Sequence, residues 1–392
     1  MLAAMACGSY FWLLTGDEAF AMMLSAIDEA MSDVRLETYI FSPSQIGEHF
    51  RTALERACAR GVRVRVMLDA FGSHSIGDSF WAPVVRAGGE FKRFNPLNFK
   101  RWTFRNHRKL LVCDLEKAFI GGFNIASEYE GDGVTRGWRD LGLGMTGPLV
   151  KELAASFDTL FDMADRPHRV LTRLRKTALR SRILCPDGDL LLSAPGRGRN
   201  AISRALLVDF AEAARIRIVS AYFLPKVRIR RALVRAVRRG VQVQLVLPGR
   251  SDVKLAQMAS RSFYSRLMRA GVEIYEYQPQ ILHSKLVVTD SAVYVGSSNL
   301  DSRSLHINYE LMVRLVLPET IREANAAFED HLAHSIRVQF EAWRSSRTLW
   351  RRVRDRLAYF ILARLDPFLM RQQLKNLGSH ISRSGAGGTK AA

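Results

Sequence analysis

The chain has 392 residues, 48% hydrophobic and 24% charged, which excludes a disordered protein and leaves room for two domains with full cores. Its 58 Lys and Arg against 38 Asp and Glu give a net charge of +20, so a polyanionic partner is implied, either nucleic acid or an anionic membrane surface. Four scattered cysteines (Cys7, Cys58, Cys113, Cys185) form no C-x-x-C pair; this argues against a zinc site or a disulfide framework and for reduced thiols facing a cytoplasm.

In chain order, Met1 to Leu14 is apolar but has no basic n-region and runs directly into the first domain. It reads as a strand lead-in rather than a signal peptide. No run of about eighteen apolar residues occurs, so a spanning helix is not expected. Residues 34–69 give a β-rich run, an aromatic-Pro turn, an amphipathic helix and a second strand. Ile46, Phe50, Leu54 and Ala57 supply the helical period, and Gly61 follows where a left-handed C-cap is expected. Gly88 precedes another short strand. From His107 the chain reads HRKLLVCDLEKAFIGGFN, and Trp138-Arg139-Asp140 lies downstream.

Residues 216–247 then repeat the first pattern, with Ile229, Leu233 and Val237 on the helix and Gly240 after it. Gly271 matches Gly88, HSKLVVTDSAVYVGSSN from His283 matches the segment from His107, and Asn308-Tyr309-Glu310 follows. The spacing between repeats is nearly constant. Strands alternating with helices predict an α/β layered fold with a largely parallel sheet, built as two similar α/β/α halves related by a pseudo-twofold axis. The first half is expected over 1–165, a basic linker over 166–188 and the second half over 189–335. A basic amphipathic helical region is expected over 336–377 and a disordered Gly/Ser-rich tail over 378–392.

Both repeats carry His-x-Lys-x4-Asp: His107, Lys109, Asp114, and His283, Lys285, Asp290. At a strand period of two, His and Lys point to one side. Asn124 and Asn299 follow in Gly-rich turns, where small residues let donors approach an anion closely. Two imidazoles, two ammonium groups and two carboxamides meeting at one point make a phosphodiester site. One imidazole attacks phosphorus, the other protonates the leaving alcohol, and the amide and ammonium donors stabilise the non-bridging oxygens. Each imidazole needs a partner that fixes its tautomer, and Asp140 and Glu310 stand at comparable places downstream. The two motif aspartates are weaker candidates, with a structural role favoured over a catalytic one.

These motifs resemble the phospholipase D superfamily and, within it, the bacterial cardiolipin synthases. The similarity runs from about residue 10 to 335. It includes Leu36 to Phe41, Gly122 to Tyr129, Ala221 to Pro225 and Val295 to Asp301. The resemblance implies His107 and His283 as nucleophile and acid/base, with His107 favoured as nucleophile. It implies Lys109, Lys285, Asn124 and Asn299 as phosphate ligands, and chemistry without a metal or other cofactor. Gly122 stands where the second motif has Ser297, so a phosphate-binding hydroxyl is expected from Ser297 alone.

The expected activity is transfer of a phosphatidyl group from phosphatidylglycerol to an acceptor alcohol through a phosphohistidine. The alternatives are hydrolysis or a nuclease on the same fold; a silent anionic-surface binder would not need paired His, Lys and Asn. The C-terminal region favours lipid. Over Ala333 to Leu369 a long helix is expected, with Trp343, Trp350, Val353, Leu357, Phe360, Ile361 and Leu365 near one face. Arg344, Arg347, Arg351, Arg352, Arg354 and Arg356 lie largely elsewhere, before Pro367, which is the composition of an interfacial helix. A second basic helix carries Arg228, Arg231, Arg235 and Arg238. Anionic phospholipid and the membrane surface are therefore the expected partners, ahead of nucleic acid and with no obligate protein partner. The expected location is peripheral, on the cytoplasmic face of the inner membrane.

Overall fold

The β-rich run of each repeat and the strand after its helix lie side by side and parallel, because the helix carries the chain back to the same end of the sheet. A computed structural model describes residues 8–95, 104–164, 181–195 and 200–362. In the first half, β2 (Asp33–Thr38), the helix Gln45–Ala59, β3 (Arg63–Asp69) and β4 (Glu90–Phe94) form this unit. In the second, β10 (Arg215–Ser220), the helix Val227–Arg238, β11 (Gln242–Pro248) and β12 (Glu273–Tyr277) repeat it. Gly61 and Gly240 follow the two helices with φ of +86° and +88°, the left-handed conformation that stops a helix and suits glycine.

The remaining strands turn the other way. β5 (Leu110–Cys113), β6 (Lys117–Gly121) and β7 (Gly142–Thr146) run antiparallel beside β2. β13 (Lys285–Thr289), β14 (Val293–Gly296) and β15 (Glu310–Leu315) do the same beside β10. The sheets are therefore mixed and mainly antiparallel, not largely parallel as expected. The connections at 114–116 and 290–292 are too short for a helical crossover, so they make hairpins.

With β1 (Tyr10–Leu13), the first sheet has the order β1-β7-β6-β5-β2-β3-β4. The second adds β8 (Arg182–Cys185), β9 (Gly188–Ser193) and β16 (Ser335–Arg337), in the order β16-β12-β11-β10-β13-β14-β15-β9-β8. Stripped of its two edge strands, it repeats the first sheet strand for strand. β8 lies inside the stretch read as linker; residues 166–180 of that stretch fall outside the described residues.

A central core joins the halves. Leu110 and Val112 of β5 and Leu286 and Val288 of β13 enter it, together with the helices Pro148–Ala164 and Pro318–Ala333. The alternate residues, Leu111 and Cys113, face a core under the helices Gly16–Glu29 and Gln45–Ala59. Val287 likewise faces a core under Ala201–Glu212, Val227–Arg238 and Lys254–Arg261. Both motif strands are thus buried on both faces, which explains their unbroken apolar runs.

The C-terminal region is not one long helix. β16 pairs with the β12 edge, followed by the helices Phe340–Ser345 and Leu349–Phe360. The break at 346–348 has a local cause: the Thr348 side chain accepts from the Arg351 N–H and caps a new helix. Leu365, Pro367 and the tail fall outside the described residues.

Candidate active site

The two His-x-Lys segments leave their strands where the sheets meet, and each is pinned by the other half. The His107 N–H donates to the Tyr309 carbonyl at 3.0 Å, and the His283 N–H donates to the Arg139 carbonyl at 2.7 Å. Short parallel bridges, Asn106 with Tyr309 and Arg139 with Leu282, complete both junctions. The next residues on the opposing chains are Glu310 and Asp140. Backbone pairing alone therefore carries each carboxylate to the histidine of the other half.

His107 Nδ1 lies 3.2 Å from Glu310 Oε2, and His283 Nδ1 lies 2.6 Å from Asp140 Oδ2. A carboxylate only accepts, so both rings donate from Nδ1 and keep Nε2 as the lone-pair nitrogen. Both histidines line one cavity of about 300 Å³ at the junction of the halves. Asn124 and Asn299 line it too. Their carboxamide oxygens accept from the Ile40 N–H at 3.0 Å and the Tyr222 N–H at 3.3 Å. The Asn124 NH₂ also donates to the Tyr129 hydroxyl at 2.6 Å, so its second hydrogen and the Asn299 NH₂ are the ends able to meet an anion.

The lysines sit behind the imidazoles and are buried. Lys109 Nζ donates to the His107 carbonyl at 2.7 Å, and Lys285 Nζ lies 2.8 Å from His283 Nδ1 and 3.1 Å from Nε2. Burial and the Lys109 ammonium hold His107 down at about 4, against the pull of Glu310. Burial, then Lys285, also holds His283 below the usual imidazole range. Burial lowers Lys109 to about 7 and lowers Lys285 as well. Burial pushes the Glu310 carboxyl up, but His107, Lys109 and Ser297 outweigh it and leave Glu310 below its ordinary value. Near neutral pH both rings therefore rest as free bases.

Three sequence-predicted residues lie elsewhere. Asp114 is at the far end of β5, where its carboxylate accepts from the N–H groups of Met31, Ser32 and Asp33 and from the Ser32 hydroxyl. Asp290 accepts from the N–H groups of Ala214 and Arg215. Both motif aspartates fasten the entry to β2 or β10, a strand length from the histidines, and neither lines the cavity. Ser297 is not at the phosphate position either. Its hydroxyl donates to Glu310 Oε2 at 2.5 Å and accepts from the Leu311 N–H at 3.1 Å. Gly122 is its counterpart, and a Cβ there would collide with the Asp140 carboxylate. The Gly/Ser difference thus fits two different acids rather than one phosphate.

The cavity also has walls the sequence did not single out. Tyr39 packs on His107 with ring centroids 4.9 Å apart. Tyr129, Trp138 and Tyr222 surround His283 at 5.4, 5.7 and 6.5 Å. Arg105 and Arg303 line the cavity from opposite halves. A signal existed: Tyr39, Tyr129 and Tyr222 all lie in the runs that carry the family resemblance, and Trp138 is two residues from Asp140. Among the described residues no group of three or more His, Cys, Asp or Glu side chains is placed to hold a metal ion.

Two like halves, each supplying one acid-steered imidazole to a shared cavity with one buried lysine behind it, define a protein of the phospholipase D-like class. A family model described as "Cardiolipin synthase, PLD-like domain" matches residues 23–135 and 207–332. The cardiolipin synthase of Geobacillus kaustophilus is 31% identical over 370 residues, covering 91% of this chain and 72% of the relative. Cardiolipin synthase A of Pseudomonas fluorescens is 33% identical over 347 residues, covering 86% and 71%. The chain belongs to the cardiolipin synthase family of PLD-like proteins. The crystal structure of phosphatidylserine synthase from Haemophilus influenzae shares the fold, with a TM-score of 0.72, 13% identity, and coverage of 92% of this chain and 94% of that one.

Proposed function

We propose that the protein transfers a phosphatidyl group from phosphatidylglycerol to an acceptor alcohol, the second substrate being another phosphatidylglycerol. The observation that carries this reading is the pair of imidazoles, each steered by an acid, facing one cavity. His107 Nε2 attacks phosphorus and the bond to the headgroup glycerol breaks. His283, protonated as the anionic substrate enters, gives its proton to the departing glycerol oxygen. It then takes a proton from the acceptor hydroxyl, which attacks phosphorus and breaks the P–N bond. One phosphodiester replaces another, and both imidazoles return to their starting state. Lys109, Lys285 and the Asn124 and Asn299 amides hold the non-bridging oxygens as charge builds on them. His107 suits the attacking role because its side chain is the more open to the cavity, 12% exposed against 5% for His283.

The same reading places the protein on an anionic membrane. No helix of the described residues is long and apolar enough to cross one. The helix Leu349–Phe360 instead turns two different faces outward and inward. Ala358 is buried in the second-half core, where Tyr359 also packs, and Trp343, just before this helix, packs at a tilt against Tyr264. On the opposite side Leu349, Trp350, Val353, Leu357 and Phe360 stand exposed, Trp350 by 74%. Arg351, Arg352 and Arg356 are exposed beside them. The helix Val227–Arg238 adjoins, with the Arg230 guanidinium 5.9 Å from the Tyr359 ring, and exposes Arg228, Arg231, Arg235 and Arg238. Arginines close to an anionic leaflet contribute roughly 1 kcal/mol each.

Purified protein incubated with phosphatidylglycerol vesicles should yield cardiolipin and free glycerol by mass spectrometry. Cutting of single-stranded DNA without any new phospholipid would reject the lipid reading. Trp350→Glu with Leu357→Glu should release the protein from anionic vesicles in a flotation assay while activity on detergent-dispersed lipid persists.

A further inference from the structure

Beside the catalytic cavity lies a second hollow of about 170 Å³. The two share Tyr222, Val253, Asp301 and Arg303 as lining, so they lie side by side. The residues on the far side are different in kind. Leu224, Ala256, Ser302 and Leu362 line only the second hollow, and three of these four are apolar. An apolar recess adjoining a charged phosphodiester site has no use for a free inorganic anion or a nucleic acid backbone, both of which are polar along their length. It matches a molecule that is anionic at one end and hydrocarbon at the other.

The origin of the outer wall sharpens the match. Leu362 continues the helix Leu349–Phe360, which packs along the helix Lys254–Arg261 that carries Ala256. The opposite face of that C-terminal helix is the exposed stripe of Leu349, Trp350, Val353, Leu357 and Phe360. One helix thus borders the apolar recess on its protein side and presents hydrocarbon to the outside on the other. A lipid drawn from a leaflet beneath this helix would keep its chains against apolar side chains while its phosphate reaches the histidines.

We infer that the recess walled by Leu224, Ala256 and Leu362 is the subsite for the glycerol backbone and first chain carbons of a diacyl phospholipid donor, and that the C-terminal helix is a structural wall of that subsite as well as a membrane contact. The inference rests on the phosphatidyl-transfer reading. It makes selectivity for diacyl donors a property of residues outside the duplicated motifs. The recess is too small for a whole acyl chain, so most of each chain stays in the leaflet during turnover.

The test compares two donors, dioleoyl phosphatidylglycerol in mixed micelles and the chain-free diester bis-para-nitrophenyl phosphate. Ala256→Trp fills the recess, and Leu362→Asp places a charge in its wall. Each should lower the ratio of lipid turnover to chain-free turnover at least tenfold. An unchanged ratio in both would overturn the inference. Should Ala256→Trp fail to fold, the unaltered protein decides the matter. A phosphatidylglycerol with a diazirine on the first carbons of one chain, irradiated in complex, should label the peptides that hold Val253–Ala256 and Leu362. Labelling confined to other peptides would overturn the inference. Turnover of the chain-free diester by the unaltered protein with no new phospholipid would instead refute the phosphatidyl-transfer reading itself.

Discussion

The two imidazole cradles are built to one plan and finished differently. His283 is enclosed by Tyr129, Trp138 and Tyr222, bonded to Asp140 at 2.6 Å and backed closely by Lys285. Among the described residues His107 has one aromatic ring neighbour, Tyr39, and a longer 3.2 Å contact with Glu310. Behind it lies a buried polar cluster in which Glu37 meets Arg108 at 3.1 Å and Asn106 at 2.5 Å. The matching place in the second half is simpler: the Ser284 hydroxyl donates to the Arg139 carbonyl at 3.1 Å and lies 2.9 Å from His331. Duplication supplies two equal bases, and divergence around them separates a ring open to the cavity from a ring held in place. A single site can then assign attack to one imidazole and proton handling to the other.

The largest effect should come from removing a ring. His107→Ala and His283→Ala should each lower transfer by about 10⁴-fold or more. They should differ in what accumulates. With a donor whose leaving group needs no proton, His283→Ala should still form a phosphoenzyme visible by intact mass, and His107→Ala should not. The opposite pattern would exchange the roles of the two halves.

Next come the acids, which act across the junction. Asp140→Asn and Glu310→Gln should each cost about 10²- to 10⁴-fold in kcat with little change in KM, because a misoriented tautomer still binds substrate. Asp140→Asn should mimic the loss of His283, and Glu310→Gln the loss of His107, in the phosphoenzyme assay. Effects confined to the histidine of the same half would break the crossed arrangement.

The pH profile separates the halves more gently, at about tenfold per pH unit. His107 attacks as the free base and rests at about 4. On the acid side kcat/KM should therefore drop through about 4. Because His283 must be protonated yet is itself held below the ordinary imidazole range of about 6.5, kcat/KM should already begin to decline as pH rises from below that range. Lys109, in its proposed role as the ammonium, rests at about 7, so the decline should steepen as pH rises through that value. A bound phosphodiester favours the charged lysine, so the same limb in kcat should lie at higher pH.

The smallest effect on rate is expected at the motif aspartates. Asp114→Ala should lower stability by about 1–3 kcal/mol in a denaturant melt, and Asp290→Ala by less, because it frees two N–H groups rather than three and a hydroxyl. Rates on the remaining folded protein should stay within about twofold.

Much of this site was legible because the repeat marks it twice. The His-x-Lys pairs, Asn124 and Asn299 occupy matching positions, and Asp140 and Glu310 follow at comparable distances. What sequence order could not show is that the acids are exchanged, since the bridges of 106 with 309 and 139 with 282 join distant segments. Ser297 was misjudged for a related reason. A small hydroxyl in a Gly-rich turn suggests an anion, and here the anion is Glu310. Apolar periodicity locates the strands but carries no direction, so it does not reveal the antiparallel hairpins after Asp114 and Asp290. The C-terminal stripe was visible as composition. Its division between a docked Trp343 and an exposed Trp350 depends on where Thr348 restarts the helix.

The exchanged carboxylates also set the moment at which the chain becomes dangerous to its surroundings. A nascent polypeptide still on the ribosome can complete the first sheet and present His107, yet the group that steers this ring is residue 310 and has not been made. Asp140 waits in the same way for a histidine that is not yet translated. On the proposed mechanism, a partly synthesised chain therefore lacks one of the rings or the carboxylate that steers it. On that mechanism reactivity arrives late in synthesis, when the second sheet closes on the first.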